Sequence, residues 1–223
     1  MRSSPPFKTG RFVSRLSKDA GHDKFGVTET TMTRPQNREF EFLGVNHLAL
    51  VSSDMQRTVD FYSGVLGMPL IKTIDLPRGM GQHFFFDLGN GDSLAFFWFP
   101  NAPKAQPGIA SATKGPLPGP SAHGSMNHVA INVPEDRIDE YYEKLKSKGI
   151  ECSRVINHDD SPMQASLETT PTTFVRSIYF YDPDGIALEL AAWTRELPQD
   201  GDVKHKPAGA EDAVRYREMA EAK

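Results

Sequence analysis

The sequence predicts an α+β fold made of two tandem βαβββ modules, for three reasons. The pattern Asn-His-apolar-Ala-apolar is written twice, in LGVNHLALVSSD and again 81 positions later in SMNHVAINVPED. Each copy is followed by a stretch of helical periodicity, and each helix by three strand-like runs rich in β-branched and aromatic residues. A supersecondary unit repeated in this way sets the architecture before any single element is assigned.

In chain order, VNHLALV and MNHVAINV alternate as strands, so that His47, Ala49 and Val51 share one face and His128, Ala130 and Asn132 another. The first helix places Met55, Val59, Tyr62 and Leu66 on one side, behind the capping residues Ser52, Ser53 and Asp54. The second repeats the arrangement with Ile138, Tyr141, Tyr142 and Leu145, opening at Pro134-Glu135-Asp136 and ending at Gly149. Strands then follow: PLIKTIDL, HFFFDLG and DSLAFFWF with a Gly89-Asn90-Gly91 turn, and ECSRVIN, SIYFYD and IALELAAW with Asp182-Pro183-Asp184-Gly185 as the turn.

Module one is expected over 42–100 and module two over 125–193, joined by a linker, 101–124, dense in Pro, Gly, Ser and Ala. Residues 1–41 read as a flexible polar arm, and 194–223 as a polar tail with a short helix from about 210 to 221. The arm's Arg2, Lys8, Arg11, Arg15 and Lys18 resemble a transit peptide in composition and are read as a solvated basic tail.

Composition narrows the function classes. A net charge of −4 gives no cationic surface for nucleic acid or an anionic membrane, and no apolar run is long enough to span a bilayer. Cys152 is the single cysteine, which excludes an internal disulfide framework and a Cys-rich zinc site and fits a reducing, cytoplasmic setting.

The two modules, each opened by a strand bearing His, and the closing run YFYDPDGIALEL resemble the vicinal oxygen chelate superfamily: the glyoxalases, bleomycin- and fosfomycin-resistance proteins and type I extradiol dioxygenases. The resemblance covers 42–193. It implies two curved sheets forming a barrel-like cup around a divalent metal, with His47, His128 and Glu189 as ligands. The residues agree, because Glu189 sits between Leu188 and Leu190, and a lone buried carboxylate costs several kcal/mol unless it is paired or metal-bound.

Glyoxalases and epimerases of the superfamily add a fourth ligand from the closing strand of module one. Here that strand offers Ala95 or Phe96, neither of which can ligate. Two histidines and one carboxylate with open positions are what non-heme Fe(II) oxygenases use, so Fe(II) is the expected metal, with Mn(II), Ni(II) and Zn(II) as alternatives. The segment from Ile178 to Glu189 also resembles the extradiol dioxygenase signature, which implies that Tyr179 hydrogen-bonds the substrate's coordinated oxygen. The histidine that the signature carries upstream is replaced by Thr170-Pro171-Thr172, and His123 lies too close to His128 to match a second acid/base histidine. His83 and His158 are the candidates for that role.

The rings of Phe84 to Phe86 and Phe96 to Phe99 crowd one hairpin, so alternate members line the cup whichever the register. A flat apolar catechol, cleaved with O2, is the expected substrate. The rival expectations are another metalloenzyme of the superfamily (isomerase, epimerase, glyoxalase-like lyase or thiol transferase) and a metal-free binding or resistance protein. A homo-oligomer is expected, and the linker is long enough for the modules to pair within one chain or between two.

Overall fold

The computed structural model describes residues 39–115, 117–197 and 203–221, so that most of the expected arm, 1–38, lies outside the described residues. Module one runs β1 (His47–Ser52), α1 (Met55–Val59), β2 (Leu70–Asp75), β3 (Gln82–Gly89) and β4 (Asp92–Trp98). Module two runs β5 (Val129–Asn132), α2 (Ile138–Ser147), β6 (Ile156–His158), β7 (Val175–Tyr181) and β8 (Ala187–Trp193), and α3 (Ala213–Glu221) follows. Each module forms its own four-stranded sheet, ordered β1-β4-β3-β2 and β5-β8-β7-β6, with the first strand parallel to the last.

Three local departures from the sequence pattern have physical causes. The first helix is α-helical only to Val59 and continues as a π-helix over Asp60–Val65, where the Leu66 N–H bonds the Phe61 carbonyl. The wider turn lets the adjacent Phe61 and Tyr62 both be buried, their rings meeting edge to face. The ECSRVIN strand shrinks to Ile156–His158 because the Tyr179 N–H bonds the Ser153 hydroxyl instead of a ladder carbonyl. The linker is packed and not merely spanning: Ser111 and Ala112 are buried, and both bond the Asn127 carbonyl.

The core collects side chains from both modules, among them Tyr62, Phe86 and Phe96 from the first and Ile138, Phe180 and Leu188 from the second. Polar contacts also cross between the modules. Tyr62 Oη donates to Asp182 at 3.2 Å, and Arg57 pairs with Asp184 at 2.7 Å. Shared burial on this side leaves the opposite face of each sheet, the one bearing His47 or His128, outside the core. The expected barrel-like cup is not closed within one chain, since no strand pairing joins the two sheets among the described residues.

Candidate metal centre

Register assigns each side chain to a face. Ala130 lies opposite Glu189 in module two and Ala49 opposite Ala95 in module one, so Ala95 is the structural counterpart of Glu189. Phe96 points the other way, fully buried against Tyr62. By the same logic Phe85 is the counterpart of Tyr179, and His83 of Ser177.

Module two gathers the polar constellation. His128 Nε2 lies 2.9 Å from Glu189 Oε2, and the Ser177 hydroxyl bonds the other carboxylate oxygen. Glu189 is only 5% exposed. Burial pushes its carboxyl up, but the hydrogen bonds from His128 and Ser177 outweigh this and hold it below the usual range. Two ligand atoms each about 2.1 Å from one ion, at right angles, lie about 3 Å apart, so the His128–Glu189 spacing suits adjacent positions on one divalent cation. An acidic oxygen and an imidazole form a donor set fit for Fe, Mn, Ni or Zn.

Tyr179 stands beside this pair, edge-on to the His128 ring. Burial, then the Glu189 charge, pushes its phenol up to about 12, so it stays protonated. His158 Nε2 lies 2.9 Å from Tyr179 Oη. The loop after His158 is gathered on Asp159, whose carboxylate accepts from Ser161 N–H and from the hydroxyls of Ser166 and Thr170.

Module one carries a different face. His83 stacks on Phe97 with centroids 3.6 Å apart, Phe97 stacks on Phe99 at 5.4 Å, and Phe85 bridges from His83 to His47. Burial, and then His47, pushes the His83 imidazole pKa down. His47 itself is exposed at the head of edge strand β1. Among the described residues, no three His, Cys, Asp or Glu side chains come close enough to hold one ion. His128 and Glu189 are therefore together, and His47 is apart from them.

Sequence reasoning passed over Asn46, Asn127 and Ser177. Each of the two asparagines bonds the histidine that follows it, and the repetition of Asn-His was the available signal.

Residues 44–190 match the family model described as the glyoxalase/bleomycin resistance protein/dioxygenase superfamily. The chain belongs to that superfamily. A fosfomycin resistance protein, FosX, from Listeria monocytogenes is 37% identical over 164 residues, covering 69% of this chain and 92% of its own length. The lactoylglutathione lyase of Escherichia coli is 29% identical, covering 65% of this chain and 88% of the relative. Among solved structures, a glyoxalase family protein from Enterococcus faecalis aligns with a TM-score of 0.48 at 25% identity, covering 67% of this chain and 98% of that one.

Proposed function

We propose that this chain is a metal-dependent extradiol-type dioxygenase acting on an apolar catechol-like diol, with His47, His128 and Glu189 as metal ligands. The observation that carries the reading is the Tyr179–His158 pair set beside Glu189 and His128. A bound Fe(II) would supply Lewis acidity toward the diol and electron transfer toward O2, both of whose atoms end in the ring-opened product. Tyr179, kept protonated, donates a hydrogen bond to a substrate oxygen. His158 fixes the orientation of that hydroxyl and is the acid/base candidate nearest the ligand pair. The rings of His83, Phe85, Phe97 and Phe99 offer a planar surface for the aromatic body, which places His83 in the wall of the site.

Because His47 does not reach the pair within one chain, the third ligand comes from a second copy. The module-one face of one copy lies against the module-two face of the other, in a homo-oligomer with a self-complementary interface. The faces fit this arrangement: β1 and β5 are both sheet edges, and Val51 and Trp193 are about half exposed.

Fosfomycin-type chemistry is the second reading, favoured by the FosX relative. A phosphonate wants clustered cations, whereas among the described strand residues Lys72 is by register the only Lys or Arg on the sheet faces that bear His47 and His128. Anaerobic reconstitution with Fe(II), followed by oxygen-uptake assays with catechol and 2,3-dihydroxybiphenyl, separates the two. Oxygen consumed with a yellow ring-fission product supports the first reading. Iron-loaded protein that yields none with any catechol, or that instead consumes fosfomycin, overturns it.

A further inference from the structure

Neighbouring side chains on an extended strand point to opposite sides, so an asparagine need not touch the histidine that follows it. Here it does so twice. Asn46 Oδ1 lies 2.7 Å from His47 Nδ1, and Asn127 Oδ1 lies 2.8 Å from His128 Nδ1. An amide oxygen can only accept, so in each pair the imidazole Nδ1–H is the donor and Nε2 is the nitrogen on the other side of the ring, which in His128 is directed at Glu189 Oε2, 2.9 Å away. The amide orientation of Asn127 is fixed independently: its Nδ2 donates to the Gly119 carbonyl at 3.0 Å and approaches the Ser121 hydroxyl at 3.4 Å, which reserves Oδ1 for His128. The linker builds this clamp, because a Cβ at Gly119 would stand 2.1 Å from the Thr113 hydroxyl, and Gly119 N–H bonds the Thr113 carbonyl.

From these paired contacts we infer that Asn46 and Asn127 are positioning residues, each holding its histidine in the form that presents Nε2 to a metal. The inference rests on the metal reading above. The outer hydrogen bond of a ligating histidine fixes its tautomer and ring angle, and loss of such a partner costs about 10- to 100-fold in metal affinity. The two clamps are unequal. Asn127 is tied down by the linker, so His128 and Glu189 form a half-site held ready, while Asn46 is exposed and His47 is steadied by its amide and by Phe85.

Two measurements test this. Zinc titration calorimetry of the full chain is expected to show affinity falling about 10- to 100-fold in Asn127→Ala and largely kept in Asn127→Asp, which retains an oxygen acceptor. Unchanged zinc affinity in a folded Asn127→Ala overturns the assignment. Nitrogen-15 NMR of the metal-free protein at about pH 9, above the ordinary histidine range, reads the His47 tautomer without any metal. The Nδ1–H form is expected in the parent and a shift toward the Nε2–H form, which free histidine favours, in Asn46→Ala. The same tautomer in both proteins overturns the assignment. A parent that binds no zinc yet shows the tautomer shift leaves the asparagine contact standing and removes the metal reading instead.

Discussion

The same βαβββ unit carries two different working faces. In module two the positions flanking His128 hold Glu189, Tyr179 and Ser177, and in module one the corresponding positions around His47 hold Ala95, Phe85 and His83. One copy of the unit presents an anionic, hydrogen-bonding face, and the other an aromatic face that carries the imidazoles of His47 and His83. Duplication supplied the scaffold twice, and substitution at matched register positions divided the labour between the copies.

The largest effect should follow from erasing the anionic half. Glu189→Gln removes the carboxylate that pairs with His128, and on the proposed metal reading affinity for the metal should drop by at least about 100-fold, more than loss of an outer partner costs. Metal content of the freshly purified variant, measured against the parent, checks this. Retention of a full equivalent would mean that module two does not hold the metal.

The division between copies can be tested by mixing. His47→Ala and Glu189→Gln should each be inactive alone. Co-refolded in equal amounts, they should recover about a quarter of parental activity, because half of the dimers are mixed and each mixed dimer has one intact site. No recovery, from a mixture shown to exchange subunits, would place both halves within one chain.

The repeat was legible because a period of 81 residues survives any uncertainty about element ends, and Glu189 was legible because a carboxylate in an apolar strand needs a partner. Register could not be read from the sequence, so Ala95 and Phe96 remained equal until strand pairing made Ala95 the counterpart of Glu189. Nor could the closing of the cup, which depends on which surfaces the shared core leaves free. His158 stood out as an acid/base candidate, but its contact with Tyr179 was not legible, since it lies 21 positions earlier and meets Tyr179 only through the pairing of β6 with β7.

A smaller effect should separate Tyr179 from its wall counterpart Phe85. Making module two resemble module one with Tyr179→Phe should lower kcat about 100-fold while leaving metal content unchanged. His158→Ala should lower it less. In the Tyr179→Phe background it should add little, since the two residues share one hydrogen bond. Full additivity in that double-mutant cycle would show that His158 acts independently of Tyr179.

The smallest effect concerns the turns that close the two hairpins. Module one uses Gly89-Asn90-Gly91, with Asn90 and Gly91 both at positive φ, whereas module two uses Asp182-Pro183-Asp184-Gly185 and aims Asp182 at Tyr62 across the seam between modules. Burial raises the Asp182 carboxyl to about 6, despite bonds from the Ile186 and Asp184 N–H groups. A folded-state value above the unfolded one means that the native protein binds the extra proton between about pH 6 and 3.8, so this group's contribution to stability grows as pH falls through that window. Above pH 6 the buried charge is a cost on the order of 3 kcal/mol. Asp182→Asn keeps an oxygen for the backbone donors and removes the ionisation. Its melting temperature relative to the parent should therefore be higher at pH 7 than at pH 4.5, and the difference should vanish only below about pH 3.8. A difference independent of pH would mean that Asp182 is held as readily charged as neutral, and that the seam between modules tolerates the carboxylate without cost.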